Sequence, residues 1–261
     1  MRAGSLRIAG VRRLVLAAIA AWFAVAIAWP AVAQERVDLE LVLAADGSGS
    51  IDEDELALQR RGYAEALTSP EVLQAIGSGP HGAIAVAYME WGAPSSQVVI
   101  VDWAVIRDEA SAADFAQKLV TRPRGAFGYN SISAAIDFSV RMINTSGFEG
   151  LRKVIDVSAD APNIGGRPVE AARDDAVADG ITINALAIKR PGGGYRGPAG
   201  MSLESYMAAS VIGGPGAFVE IADEARSFRD AVRSKLVLEI AGLPPHSVFG
   251  FIGQVDSPTS E

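Results

Sequence analysis

The sequence LVLAADGSGSIDEDEL, residues 41–56, places an apolar run directly before a short polar segment. The apolar run is typical of a strand that is buried on both faces of a parallel sheet. Asp46, Ser48 and Ser50 follow at alternate positions, with glycine between them, and an acidic run of the kind that begins a helix comes next. The stretch therefore predicts a buried strand, a loop that presents a carboxylate and two hydroxyls, and then a helix.

The rest of the chain continues this alternation of strands and helices. Apolar runs predict strands at residues 37–44, 83–91, 97–103, 152–158, 180–188 and 217–221. Helical spacing predicts helices at residues 52–67, 110–120, 131–143, 169–178, 203–211 and 224–241, with a loop rich in Gly and Pro at 190–200. This order predicts an α/β three-layer, doubly wound, Rossmann-like sandwich with a mainly parallel central sheet and one antiparallel edge strand.

The first 33 residues have the pattern of a secretory signal peptide. A basic region contains Arg2, Arg7, Arg12 and Arg13. The apolar core at 14–29 is shorter than the roughly 20 residues of a membrane span, and Ala31-Val32-Ala33 fits an A-x-A cleavage signal. We predict a periplasmic or secreted mature chain that starts at Gln34, with an uncleaved membrane anchor as the alternative. The domain is then expected at 34–242, followed by a partly disordered tail at 243–261.

Charge and cysteine content exclude several classes of function. The chain has 23 Lys and Arg against 31 Asp and Glu, a net charge of −8, and removal of the basic leader makes it more acidic. Such a balance disfavours nucleic acid, and it disfavours anionic membranes unless the leader stays uncleaved. The absence of cysteine excludes disulfides and thiolate metal sites.

Three segments resemble the von Willebrand factor type A (vWA) domain in order and spacing. Asp46 to Ser50 fit its D-x-S-x-S motif after the first strand. The segment GYNSISAAIDF, residues 128–138, stands where the family has a threonine-containing loop before a helix. The segment VIDVSADAPN, residues 154–163, stands where it has a strand that ends in an aspartate. The resemblance covers roughly residues 38–242 and is to an uncharacterised secreted bacterial subgroup of that family.

The resemblance implies a metal-ion-dependent adhesion site. It implies that Ser48 and Ser50 bind the ion directly, while Asp46 and Asp160 hold metal-bound waters. Mg²⁺, with Mn²⁺ or Ca²⁺ as alternatives, suits such oxygen ligands, and the glycines at 47 and 49 free the loop backbone. With so few direct negative ligands, the ion can accept a carboxylate from a protein partner.

The threonine position is the main departure from the family pattern. The start of the following helix aligns Asn130 with the usual threonine, and its amide oxygen could bind the ion or a water. Ser131, one position later, is the second candidate. Ala161 replaces the usual glycine after the aspartate.

Other interpretations of these residues are structural. The loop after the first strand could merely cap the next helix, since Ser and Asp are good N-caps, although this leaves Asp160 unexplained. Asp156, also a candidate for the site, lies inside an apolar strand, where an unpaired charge is costly. We expect it to pair with an arginine or with backbone donors. We expect Glu90 to be structural.

Enzyme motifs are missing from the chain. A nucleophile elbow requires G-x-S-x-G, but Asp46 and Ser50 occupy its glycine positions around Ser48. The two histidines, His81 and His246, lie outside the site segments, and no phosphate-binding G-x-x-x-x-G-K-[ST] occurs. The sequence therefore predicts a protein-binding module rather than an enzyme. The alternatives are a structural interaction module with a vestigial, empty metal site and, third, a metal-dependent hydrolase.

Overall fold

The computed structural model describes residues 34–189, 200–223 and 227–242. The chain divides between Gln34 and Glu35, and the second unit, which begins at Glu35, forms the α/β fold. The predicted signal peptide and the predicted tail lie outside the described residues, as does most of the predicted loop at 190–200.

Among the described residues, six strands form one sheet in the order β3-β2-β1-β4-β5-β6. They are β1 (Glu35–Asp46), β2 (Ile84–Trp91), β3 (Gln97–Ile106), β4 (Phe148–Ala159), β5 (Thr182–Ile188) and β6 (Val219–Ala222). All neighbours pair in parallel except β2 and β3, which are antiparallel and place β3 at the edge. The predicted sheet, including its antiparallel edge strand, is confirmed.

Helices cover both faces of this sheet. They are α1 (Glu53–Leu67), α2 (Pro70–Gly77), α3 (Glu109–Thr121), α4 (Ile132–Asn144), α5 (Val169–Ala178), α6 (Leu203–Tyr206, continued by a π-helical turn at Met207–Val211) and α7 (Phe228–Ala241). Apolar residues of α1, α2, α3 and α7 form one core cluster with the sheet, and those of α4, α5 and α6 form the other. The result is the predicted three-layer sandwich.

The alternation of side chains along β1 explains why its sequence is apolar throughout. Leu41 and Leu43 belong to the first core cluster, whereas Val42 and Ala44 belong to the second. All four are fully buried. A strand at the centre of a two-sided core needs apolar residues at every position.

The sheet topology also sets the place of the site. The chain crosses from β1 to β2 and β3 on one side and returns with β4 on the other, so the switch point lies between β1 and β4. Ala44 pairs with Val157 in the parallel register. Asp46 at the end of β1 and Asp160 directly after β4 therefore meet at the same edge of the sheet.

The presence of helix α2 and the start of β5 are among the details that differ from the sequence prediction. The sequence patterns do not predict helix α2, although Ser69 caps it and Pro70 occupies its first turn, as is common at helix starts. Strand β5 begins at Thr182 rather than at residue 180, because Gly180 has a φ of +76° and ends the turn after α5. Within the described residues, none of the helices combines the length and the apolar character needed to cross a membrane.

Candidate metal centre

Asp46 lies fully buried at the end of β1. Its Oδ1 accepts a hydrogen bond from the Ser48 backbone N–H at 2.8 Å, and its Oδ2 accepts one from the Asp160 backbone N–H at 3.3 Å. Burial, together with the nearby Asp160 carboxylate, raises the pKa of Asp46 to about 7, against the effect of these hydrogen bonds. A buried carboxylate in this position favours a nearby positive charge.

The two serine hydroxyls point toward each other and toward the second carboxylate. Ser48 Oγ and Ser50 Oγ are 3.0 Å apart. Ser50 Oγ donates to Asp160 Oδ1 at 3.1 Å. Ser48 is buried and Ser50 is exposed, so this row of oxygens runs from the end of the sheet to the surface.

Asn130 completes the group from the loop before α4. Its Nδ2 donates to Asp46 Oδ2 at 3.1 Å and to Asp160 Oδ1 at 3.4 Å. The amide nitrogen, not the expected amide oxygen, faces the carboxylates, and rotation of the amide by 180° exchanges the two. Ser131 is directed elsewhere, because its hydroxyl donates to Gly165 O at 2.9 Å.

These five residues suit a hard divalent cation. An octahedral Mg²⁺ with bonds of about 2.0–2.1 Å places adjacent ligands roughly 3 Å apart, which corresponds to the 3.0 Å between the two serine oxygens. Among the described residues, no three acidic, histidine or cysteine side chains gather into a metal-binding group. Hydroxyl and amide oxygens would therefore have to supplement the carboxylates of Asp46 and Asp160.

Arg124 holds the loop that carries the serines, and the sequence patterns do not reveal this role. Its Nη2 donates to Gly47 O at 2.7 Å and to Ser48 O at 2.8 Å, and its Nη1 donates to Ile51 O at 2.9 Å. The side chain is only 9 % exposed and also pairs with Glu53. The guanidinium group of arginine carries its N–H donors in a rigid fork, which allows it to bind several carbonyl oxygens at once. The sequence gives little sign of this role, because an arginine in a loop belongs to no periodic pattern or motif.

Tight packing around Gly47 fixes the same loop. A Cβ at this position would lie 3.3 Å from Glu90 Cβ, which is closer than most side-chain contacts. Neither Gly47 nor Gly49 has a positive φ. Position 47 therefore favours glycine because there is little room for a side chain. The backbone conformation there is not one that only glycine adopts easily, contrary to the expectation from the sequence.

A buried ion pair supports the segment before Asn130. Arg60 on α1 donates to Glu90 Oε1 at 2.6 Å, and both side chains are buried. Arg60 also donates to the carbonyl oxygens of Arg122 and Pro123, while Gly125 N–H donates to Glu90 Oε2 at 2.9 Å. Glu90 is structural, as expected. Its partner Arg60 holds the backbone at Arg122 and Pro123, directly before Arg124.

Asp156 is not part of this group. It pairs with Lys235 of α7, with 2.8 Å between Oδ1 and Nζ, and both side chains are buried. The expectation that Asp156 pairs with an arginine or with backbone donors is therefore wrong. The cation comes from α7, which lies far away in the sequence. Burial raises the pKa of Asp156, and Lys235 opposes this shift.

Helix capping accounts for Asp52 and Glu55, and it does not account for the residues of the candidate site. Asp52 caps α1 by accepting from Glu55 N–H at 2.8 Å, and Glu55 Oε2 accepts from Asp52 N–H in return. This capping box satisfies the helix start without Ser48 or Ser50. The serine hydroxyls instead contact each other and Asp160.

Comparison with known protein families assigns the chain to one of them. The sequence profile of DUF1194, described as a protein of unknown function, matches residues 36–244. The chain belongs to the DUF1194 family. A comparison with curated proteins found no match.

Comparison of this DUF1194 protein with solved structures shows that its fold is that of a vWA domain. A von Willebrand factor type A protein from Catenulispora acidiphila superposes with a TM-score of 0.52 at 12% identity, covering 78% of this chain and 42% of that one. The pilus adhesin SpaC from Lactobacillus rhamnosus GG has a TM-score of 0.52 at 17% identity, covering 78% of this chain and 31% of that one.

A third similar structure is proximal thread matrix protein 1 from the mussel byssus, described with a zinc occupied MIDAS motif. It has a TM-score of 0.50 at 13% identity, covering 78% of this chain and 45% of that one. The DUF1194 chain thus spans less than half the length of each of these three proteins. At such low identity the likeness concerns the fold.

Proposed function

We propose that this protein is a secreted or periplasmic binding module that holds a divalent cation and uses it to bind an acidic group on a partner protein. The ion is of the Mg²⁺ type, with Mn²⁺ or Ca²⁺ as alternatives. Its ligands are the oxygens of Asp46, Ser48, Ser50, Asn130 and Asp160, either directly or through water.

One observation carries the proposal. Polar side chains from three separate segments, the loop after β1, the loop before α4 and the end of β4, meet within hydrogen-bond distance at the switch point of the sheet, with the Asn130 amide facing the carboxylate oxygens. Ligands of doubly wound sheets bind at this place. The similarity in fold to an adhesin and to a protein with a zinc occupied MIDAS motif supports the same conclusion.

The residues of the chain have distinct roles in this proposal. A bound cation supplies the positive charge that the buried Asp46 favours and a coordination position for a partner's oxygen. Ser50 and Asp160 lie toward the surface, so a partner would approach from their side. Arg124 keeps the carbonyl groups of the serine loop, residues 47–51, in place.

A structural interaction module with an empty site is the second candidate, and Asn130 favours it. The amide N–H₂ group of Asn130 bridges the carboxylates of Asp46 and Asp160. These hydrogen bonds partly replace the attraction that a cation would provide. In that case the surface would bind partners without metal.

Titration calorimetry with MgCl₂, MnCl₂ and CaCl₂ on the chain from Gln34 onward distinguishes the two. We expect one binding site in the wild type, and loss of that site in Asp160→Ala and in Ser48→Ala/Ser50→Ala. Asp179→Ala and Ser78→Ala are matched controls, since these exposed residues follow helices at the opposite, amino edge of the sheet. Equal heats in wild type and Asp160→Ala would support the empty module instead.

A further inference from the structure

Three exposed apolar side chains lie on the loops that enclose the candidate metal centre. Phe127 is 58% exposed, Tyr129 is 73% exposed and Ile164 is 68% exposed. Only eight large apolar side chains are exposed among the described residues, and three of them lie on two loops of one site. Single exposed apolar residues are ordinary, but a group beside a polar centre is typical of an interaction surface.

Backbone hydrogen bonds tie these side chains to the metal-binding residues. Gly49 N–H donates to Gly128 O at 2.8 Å, so the segment with Phe127 and Tyr129 contacts the serine loop. Ile164 N–H donates to Asn130 O at 2.7 Å, which joins the loop after β4 to the same segment. Gly128 has a φ of +94°, a conformation that favours glycine.

Phe127 is also held by the loop between β2 and β3. Its carbonyl oxygen accepts from Ala93 N–H at 2.9 Å, and its own N–H donates to Ser96 Oγ at 3.0 Å. The Arg124 guanidinium lies 5.1 Å from the centre of the Phe127 ring. An aromatic ring that is ordered before binding loses little conformational freedom when a partner arrives, and aromatic residues are frequent energetic centres of interfaces.

We infer that Phe127, Tyr129 and Ile164 form an apolar rim around the metal centre, and that the partner presents an acidic side chain flanked by aromatic or aliphatic residues. The inference rests on the proposed function. The chain carries a net charge of −8, so an acidic partner is repelled in general and attracted only at the cation. The neutral rim adds contacts without adding to this repulsion, and it selects for apolar neighbours of the acidic residue.

Selection from a random peptide library displayed on phage tests the rim. The immobilised wild-type chain is exposed to the library in MgCl₂, and bound phage are eluted with chelator. A rim variant, Phe127→Ser/Tyr129→Ser/Ile164→Ser, is screened in parallel. Leu151→Ser is the control, because Leu151 is 61% exposed near the start of β4, at the opposite end of that strand from Asp160.

We expect chelator-eluted peptides from the wild type and the control to share an Asp or Glu with apolar residues beside it. The rim variant should bind the same peptides at least tenfold more weakly while its affinity for Mg²⁺, measured by calorimetry, stays within twofold. Peptides that carry an acid without apolar neighbours, or equal affinity for the rim variant, would overturn the rim and leave the proposed function standing. If the wild-type chain does not bind Mg²⁺ in calorimetry, the proposed function itself is overturned.

Discussion

Lys235 Nζ lies 2.8 Å from Asp156 Oδ1, and both side chains are buried between α7 and the sheet. Glu239, one turn later on α7, pairs with the same ammonium group and accepts a hydrogen bond from Asn184 Nδ2 at 2.8 Å. Two carboxylates thus share one cation. Burial raises the pKa of Glu239 to about 7, with Lys235 opposing the shift and Asp156 adding to it.

Replacement of Lys235 by Met should destabilise the fold strongly. It leaves Asp156 and Glu239 buried without their cation, and breaking such a pair typically costs about 3–5 kcal/mol. Urea unfolding of wild type and variant measures the loss. Lys118→Met is the matched control, since its pair with Asp114 is exposed and should contribute less than about 1 kcal/mol. Similar losses in the two variants would contradict the role of Lys235.

The pH dependence of stability should reveal Glu239. Its pKa is about 7 in the folded chain and 4.5 without the fold, so between these values the folded state holds a proton that the unfolded state releases. Stability then falls as pH rises through this window, by up to about 1.4 kcal/mol per pH unit. Glu239→Gln cannot titrate, so its stability relative to wild type should increase from pH 5 to pH 8 in urea unfolding. Parallel profiles would show that Glu239 does not titrate in this window.

Arg124 should affect metal binding without contacting the metal. Arg124→Ala removes the donors to Gly47 O, Ser48 O and Ile51 O, and loss of such supporting groups typically weakens metal affinity by about 10- to 100-fold. Arg124→Lys should not restore it, because one ammonium lacks the rigid fork of donors. Calorimetry with MgCl₂ measures the affinity, and Arg122→Ala, whose side chain is exposed, is the control. Unchanged affinity in Arg124→Ala would show that the serine loop keeps its shape without it.

Asn130→Thr should bind Mg²⁺ at least as tightly as the wild type. The substitution introduces a hydroxyl oxygen, an ordinary ligand for this ion, and removes the amide N–H₂ group that bridges Asp46 and Asp160. Asn130→Ala, which provides neither group, separates the gain of a ligand from the loss of the bridge. Weaker Mg²⁺ binding by Asn130→Thr than by Asn130→Ala would place Asn130 outside the metal shell.

Export should remove the first 33 residues. The basic region, the short apolar core and Ala31-Val32-Ala33 predict a mature chain that begins at Gln34. The intact mass of the protein from the periplasmic fraction measures this directly. A full-length mass in the membrane fraction would favour the uncleaved anchor.

The sequence by itself determined the sheet and the place of the candidate site. Apolar residues at every position of β1 require two covered faces, and the alternation of strands and helices then leaves few topologies. Asp46, Ser48, Ser50 and Asp160 could be named because they fit vWA-like motif segments at the ends of two recognisable strands. The motif spacing is readable in the sequence because the loop after β1 is short and its oxygen-bearing residues are close to one another along the chain.

The tertiary structure alone decided which distant residues support these elements. Arg124 reaches the serine loop from more than 70 positions away, and Lys235 meets Asp156 across the interface of α7 with the sheet. It also separated Asn130, which faces the carboxylates, from Ser131, which donates to Gly165. The physical reason is that a periodic pattern reports which face of an element is buried, whereas a polar contact depends on the packing of elements whose separation in sequence carries no signal.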